Sequence, residues 1–383
     1  MSLPQTLASL FHSAPQIRDA ALRGNGRVLR SLLGPAYRGL IQQVAKGTPA
    51  TAMPIAHDAV FDWSYTRDRP EMAKLYEAAK ASQWNATDDL DWSTDVDPER
   101  ADRPLLPESY IPVAELPVWK ALPQKEKQKQ IHAITSWVLS QFLHGEQGAL
   151  FAACQVTTAV PWLDGKLYGS TQVVDEGRHV EVFHGYLTNK LQKVYEINDN
   201  LYVIIDALMT DSRWDVKFLG MQIMIEGLAL GAFGTIRQLT REPLLKELLK
   251  RVITDEARHV HYGVLAIQEF VQHGIDERAR REREDWAFEV ALLLRNRFLA
   301  HEFYDEFYGH LMSRRQWDVL VQSSGMMSMF RRTMFKRIIP NLKRIGLLTD
   351  RIRPQYERVG LLAYEHGKAA PDLTAAELLD DAA

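Results

Sequence analysis

Glu146 is followed thirty residues later by Glu176-x-x-His179, and eighty residues on the same types return at the same spacing as Glu226 and Glu256-x-x-His259. Carboxylates satisfy hard cations and neutral imidazole suits iron, so these six side chains are ligand types for iron or manganese. Four carboxylates offset the charge of two divalent ions, and the set leaves coordination positions open for dioxygen. Glu and His three apart on a helix have Cβ atoms ~5–6 Å apart and point to one side. A single ExxH arises easily by chance in a helical chain; two in one register, each preceded by Glu at the same distance, do not. Glu226 also lies within the apolar run Met221-Gln222-Ile223-Met224-Ile225-Glu226-Gly227-Leu228-Ala229-Leu230. A lone carboxylate buried there is costly unless it is paired or bound to metal.

The elements that must bring these groups together can be read from the breaks between them. The midpoint of each thirty-residue gap falls at Pro161 in one repeat and beside Pro243 in the other. Proline suits a turn or a first helical position. A helix of roughly 15 residues rises ~22 Å from the first Glu to the turn, and a second descends as far, so the ligands meet at one level. From about Pro70 onward apolar residues recur mainly at helical spacing, and no alternating β-branched run suggests a sheet. The expectation is an all-α protein with helices near 70–82, 124–159, 163–194, 198–211, 213–239, 243–273, 276–311, 315–337 and 350–364. The expected breaks are Pro161, Asn198-Asp199-Asn200, Pro243, Gly274, Pro340 and Pro354. The residues between His179 and Glu226 supply the crossover needed if two hairpins face each other in a four-helix bundle.

The chain divides accordingly into a basic, partly helical arm (1–69), a helix and Pro/aromatic-rich strap (70–123), a four-helix ligand core (124–273), C-terminal helices packed on it (274–370) and an acidic tail (371–383). The arm carries Arg18, Arg23, Arg27, Arg30, Arg38 and Lys46 against Asp19, and is amphipathic around Leu29 to Leu40. It reads as a helix packed on the bundle. The strap segment from Gln83 to Trp92 is acidic and turn-prone but lacks the glycine and terminal glutamate of a calcium loop, so it reads as solvated. With 46% hydrophobic and 25% charged residues and a net charge of −3, the composition is that of an ordinary soluble protein and gives no sign of nucleic-acid binding. The single cysteine, Cys154, excludes an intramolecular disulfide framework and any cysteine-based zinc or iron–sulfur cage, and suits a reducing cytoplasm. No apolar run is read as a transmembrane segment, and no signal-peptide core is evident.

Each ExxH sits in a longer phrase, Asp175-Glu176-Gly177-Arg178-His179 and Asp255-Glu256-Ala257-Arg258-His259. Over roughly residues 124 to 273 the chain resembles the ferritin-like di-iron carboxylate superfamily, in the branch of bacterial multicomponent monooxygenase hydroxylases and ribonucleotide reductase small subunits. The D-E-x-R-H phrase looks most like the monooxygenases. The resemblance implies a ferritin-like bundle, like that of the reductase small subunit, with two ligand-bearing hairpins. It also implies that Asp175 and Asp255 accept the ring N–H of metal-bound histidines, with Arg178 and Arg258 holding the aspartates.

Departures from that pattern bear on the chemistry. Phe183 stands where reductase small subunits carry the radical tyrosine, four residues beyond the first histidine. Leu230 stands where methane and toluene monooxygenases tend to carry threonine, and Val252 where arylamine N-oxygenases carry a seventh ligand. Tyr186 and Tyr262 are candidate redox residues that read more readily as core. His144 and His261, each two positions from a ligand, point away from it. Inward candidates for an apolar substrate pocket are Ala149, Leu150, Ala153, Phe183, Ala229, Leu230, Phe233 and Gly263; the same small residues would equally permit close helix packing.

The expected function is therefore a di-iron oxidase or monooxygenase, holding two Fe ions or an Mn/Fe pair through Glu146, Glu176 and His179 in one half and Glu226, Glu256 and His259 in the other. Dioxygen and a small molecule would be its substrates, electrons would come from a reductase or ferredoxin, and a homodimer is compatible with the sequence. A reductase-small-subunit-like protein and a ferritin- or rubrerythrin-like ferroxidase are the related alternatives. A metal-free helical interaction protein, docking through its basic arm or the Arg-rich 279–283 stretch, is the unrelated one. The Glu and Arg residues of 277–284 read as a solvated helix face with i,i+4 pairs.

Overall fold

The computed structural model describes residues 25–98, 100, 103–374 and 377, with side chains omitted at 326 and 329–331. Among the described residues the regular structure is helical, as the apolar spacing requires. The principal helices are α1 (Gly26–Ala36), α2 (Pro70–Ala81), α3 (Gln124–Ala159), α4 (Leu163–Gly185), α5 (Asp199–Thr210), α6 (Trp214–Leu239), α7 (Pro243–Glu269), α8 (Glu277–Arg297), α9 (His301–Phe307), α10 (Arg314–Ser323), α11 (Gly325–Ile345) and α12 (Arg353–Arg358).

The two hairpins, α3–α4 and α6–α7, turn where the prolines predict. α3 ends at Ala159 before Pro161, and Pro243 occupies the first turn of α7. Glu242 caps α7, its carboxylate accepting from the backbone N–H groups of Leu244 (2.9 Å) and Leu245 (2.6 Å). From Glu146 to the end of α3, from the start of α4 to Glu176, from Glu226 to the end of α6 and from the start of α7 to Glu256, the count is thirteen residue steps every time. At 1.5 Å per residue each arm spans ~20 Å, which is why the four carboxylates reach one level.

Around this core α2 lies across α4 and α7, α5 and α8 cover the middle of α6, and α11 runs along its C-terminal half. α6 is long and apolar enough to cross a membrane, with a mean hydropathy of 1.4 over its best window, but 94% of that window is buried inside the protein. It is hydrophobic all round because it is the central helix.

Several boundaries differ from the sequence expectation. The 276–311 helix divides at Phe298–Ala300, where Ala300 adopts φ +49°. The 315–337 helix divides at Ser324, which caps α11 by accepting from Met327 N (3.1 Å). Pro340 does not end α11, which runs through it to Ile345; buried Asn341 donates to the Arg337 carbonyl (2.9 Å) beside the proline. The expected 350–364 helix reduces to α12 and one 3₁₀ turn, Leu362–Tyr364. α4 continues as a π-helical segment over Tyr186–Leu191, and α6 is π-helical from Leu219 to Glu226. Apolar periodicity carries no mark of such a register change, and π segments cluster at functional sites.

α1 packs against α5, and in the π-helical segment Tyr37–Gln42 that follows it Arg38 Nε lies 2.7 Å from Asp206 Oδ2. Arg18, Arg23 and most of the acidic tail fall outside the described residues. The 277–284 face is only partly solvated. Arg281 pairs with Glu277 at 2.9 Å, but Glu282 and Glu284 are buried and accept from Arg213 (2.7 Å) and Arg351 (2.7 Å).

α6 and α11 approach so closely that a Cβ on Gly231 would lie 2.7 Å from the Thr333 carbonyl oxygen and 2.8 Å from Met334 Cα. Both obstacles are backbone and cannot rotate aside. Gly231→Val is expected to lower stability by ~1–3 kcal/mol, read as a lower urea midpoint at unchanged m value.

Candidate metal centre

The arms converge on six buried side chains. Glu146, Glu176, His179 and Glu256 place ligand atoms within 4.8 Å of one another, and so do Glu176, Glu226 and His259. Glu176 belongs to both groups. His179 Nδ1 lies 3.2 Å from Glu146 Oε2 and 3.2 Å from Glu256 Oε1; His259 Nδ1 lies 3.0 Å from Glu176 Oε1 and 3.6 Å from Glu256 Oε2. The ExxH glutamates reach across the repeats, each approaching the histidine of the other. Glu146 flanks His179, Glu226 flanks His259, and the glutamates of the two ExxH motifs stand between them.

The outer nitrogens show the same exchange. His179 Nε2 is 3.2 Å from Asp255 Oδ2, and His259 Nε2 is 3.3 Å from Asp175 Oδ2. Each D-E-x-R-H aspartate serves the histidine of the opposite hairpin. Arg178 donates to Asp175 and reaches Asp255 (3.2 Å), while Arg258 donates to Asp255 and lies 3.5 Å from Asp175. The two aspartates and two arginines thus form one buried four-membered charge network.

Two of its supports lacked a recognisable sequence signal. Gln83 Nε2 donates to Asp175 (3.0 Å) and its Oε1 accepts from Arg178 (2.8 Å); Trp84 Nε1 donates to Asp255 (2.8 Å). The Arg178 guanidinium lies 4.6 Å from the centre of the Trp84 ring. Most of the segment from Gln83 to Trp92 is exposed to solvent, and its start also clamps this network. On the opposite side buried Gln172 Nε2 donates to Glu176 (3.1 Å) and Glu226 (3.0 Å). Its place one turn before Glu176 was a legible cue.

The donor set fits a pair of divalent cations. Glu176 Oε2, Glu226 Oε2, Glu256 Oε2 and His259 Nδ1 are buried and make no hydrogen bond. Buried polar atoms are normally satisfied, so four orphans within this carboxylate–imidazole cluster fit a site for cations. Protonation registers the same strain. Burial and the neighbouring Glu256 charge push Glu146 and Glu226 well above the usual carboxylate range. Burial opposes charge on His179, but its contacts with Asp255, Glu146, Glu176 and Glu256 outweigh that and hold it well above the ordinary imidazole value. His259 is raised likewise, against burial, chiefly by Glu176. Asp175 and Asp255 are held low, against burial, by their opposing histidines.

Four carboxylates on four helices, with an ExxH on two of them, all projecting inward, is the arrangement of the ferritin-like di-metal carboxylate bundles. His144 is turned away and lies 2.9 Å from the Tyr195 carbonyl oxygen, and His261 lies outside the cluster. Tyr186 donates to Glu242 (2.8 Å) and Tyr262 to the Gly165 carbonyl (2.8 Å). Tyr168, not singled out from sequence, packs with its ring centre 4.5 Å from that of Tyr262 at a tilt of 52°, its hydroxyl buried and unbonded.

Of the expected pocket residues, Ala149, Ala229 and Phe233 line a cleft that also touches Glu146, Glu226 and Glu256. Its volume is about 20 Å³, room for a water. Phe183 packs with Phe142 (5.9 Å between centroids) and Phe233 (5.7 Å) beside it. Ala153 and Leu230 are buried in the surrounding packing, and Leu150 is half-buried. Gly263 serves close packing: a Cβ there would fall 2.4 Å from Gln222 Cβ.

No family model matches the sequence, and no curated protein matches it. Among solved structures the chain is similar to a glycine-to-phenylalanine variant of an R2-like ligand-binding oxidase with an anaerobically reconstituted Mn/Fe cofactor. That match has 19% identity and a TM-score of 0.47, over 75% of this chain and 96% of the other. A valine-to-isoleucine variant of such an oxidase gives 21% identity and 0.47 over 70% and 94%, and the R2-like ligand-binding oxidase from Sulfolobus acidocaldarius 19% and 0.41 over 70% and 92%. At these scores the chemistry rests on the chain's own residues.

Two expectations follow. Because the pairing is crossed, Asp175→Asn should weaken metal affinity ~10–100-fold at the His259 half, and Asp255→Asn at the His179 half. Fe(II) titrations of each variant combined with His179→Ala or His259→Ala distinguish the two. Because Glu146, Glu226 and both imidazoles hold protons more tightly than free groups do, ions compete with protons for the site. Metal uptake should strengthen as pH rises and release protons into weakly buffered solution, read with an indicator dye.

Proposed function

We propose that this chain is a non-haem di-iron or Mn/Fe oxidoreductase that activates dioxygen to oxidise or oxygenate a small substrate with an apolar or aromatic body. The observation that carries this reading is the convergence of four unbonded, buried ligand atoms from two ExxH-bearing hairpins. Glu146, Glu176, His179, Glu226, Glu256 and His259 would hold two ions, which when bound would supply the reduction of dioxygen.

The chain's own residues then have separable tasks. Glu176 and Glu256, between the two histidines, would hold the ions together with Glu146 beside His179 and Glu226 beside His259. Asp175 and Asp255 fix the imidazoles with Nδ1 turned inward, and Gln172 holds the Glu176 and Glu226 carboxylates by donating to both. Phe142, Phe183 and Phe233 exclude water from the dioxygen side. Electrons would come from an external reductase or ferredoxin, because the sequence carries no flavin or nicotinamide fingerprint. Residues 124–273 form the catalytic unit in this reading, with 274–370 as its support. The exposed, free Cys154 agrees with a reducing cytoplasm.

Anaerobic metal-free protein titrated with Fe(II) should take up two ions per chain. Adding oxygen with candidate substrates should give absorbing intermediates and an oxidised product. Glu226→Ala and His259→Ala should each fall below two ions. Unchanged uptake in both would refute the metal centre, and loading of many ions per chain would point to storage instead.

A further inference from the structure

Arg297, the last residue of α8, is 4% exposed, yet its guanidinium forms no ion pair or hydrogen bond among the described residues, and its Nε is buried without a partner. Its close neighbour is the face of Phe298, 5.0 Å from the ring centre. Burial alone lowers its pKa to about 10, with no carboxylate acting to restore it. Elsewhere in the interior the arginines are matched: Arg178 and Arg258 by Asp175 and Asp255, and Arg283 by Asp215 at 2.8 Å. A buried, unpaired charge is strongly destabilising, so its presence calls for a partner that arrives from outside. The negative end of the α8 dipole eases the burial, but it supplies no acceptor.

The place of Arg297 indicates what that partner reaches. It lines the same narrow cleft as Glu146, Glu226 and Glu256, whose other walls include Phe142, Ala149, Ala229 and Phe233. With two divalent ions bound, charge within the centre would balance: the four glutamates would match the ions, as the two aspartates match Arg178 and Arg258. Arg297 would then be surplus positive charge at the edge of the site. Gly145 also lines the cleft, and a Cβ placed there would meet nothing within 4 Å, so the α3 side is open.

We infer that Arg297 is the substrate-anion receptor of this site, binding the carboxylate of a small organic monoacid whose apolar or aromatic body lies in the cleft between Arg297 and the metal centre. This rests on the metal-centre reading for the identity of the ligand as substrate, and deepens it by naming the substrate class. Planar guanidinium recognises carboxylate through two parallel N–H···O bonds, which a lysine ammonium reproduces only in part. Entry requires the side chains around the cleft to part, since its present volume is about 20 Å³.

The test uses the full-length, metal-loaded protein and matched probes, benzoate with benzamide and hexanoate with hexanamide, by calorimetry at constant ionic strength. Wild type should bind at least one acid more tightly than its amide. Arg297→Gln should weaken the acid ~10–100-fold and leave the amide unchanged, and Arg297→Lys should recover part of the loss. Gly145→Leu, which fills the open side, should weaken acid and amide together. Arg297→Gln should also keep its two metal ions and melt no lower than wild type, because it removes an unpaired buried charge. The inference is overturned if acid and amide bind alike, if neither acid binds, or if Arg297→Gln retains acid affinity. If metals fail to load while acids still bind through Arg297, the metal-centre reading fails and the anion receptor stands.

Discussion

Six ionisable side chains share one dry interior, and no arrangement of them alone satisfies their charge. Four carboxylates and two imidazoles lie at contact distance, which together with burial holds Glu146 and Glu226 above the usual carboxylate range and His179 above the usual imidazole one, and four of their ligand atoms make no hydrogen bond. Burial in an apolar medium magnifies both the repulsion among the glutamates and the attraction of any cation placed at their centre. The same desolvation that makes the metal-free cluster costly therefore makes it a strong site for two divalent ions. The rest of the bundle serves to keep that cost in place.

It does so by rigid positioning. Equal thirteen-step arms bring the ligands to one level, the glycine contact between α6 and α11 fixes the central helix against its support, and a π-helical segment ends at Glu226. Around the imidazoles, Asp175, Asp255, Arg178 and Arg258 neutralise one another, and Gln83 and Trp84 close the network from the strap. Among the described residues Arg297 stands apart as a cleft-lining cation without a counterpart.

Sequence made the ligands legible because helical geometry converts spacing directly into direction. Glu-x-x-His needs no tertiary information to be read as one face, and Pro161 and Pro243 mark the turns that fold each face inward. The crossed Asp–His pairing was not legible, since letters three or four apart say nothing of which hairpin lies opposite. Gln83, Trp84 and Arg297 escaped for a related reason: they reach the site from elements distant in sequence. Pro340 misled because a terminal signal was taken alone, whereas α11 is held by its packing on α6 and absorbs the lost backbone bond. The π segment of α6 left no trace because one extra residue per turn does not disturb a largely apolar run such as Met221–Leu230.

The exchange of aspartates between hairpins has a consequence for how the repeat can change over time. In a duplicated unit each copy is ordinarily free to drift once the other performs the task. Here a substitution at Asp175 is felt by His259, and one at Asp255 by His179. Neither copy carries a complete set of instructions for its own histidine, so the two are bound to a common inheritance: half the repeat cannot be lost, swapped or specialised without disabling the half that was kept.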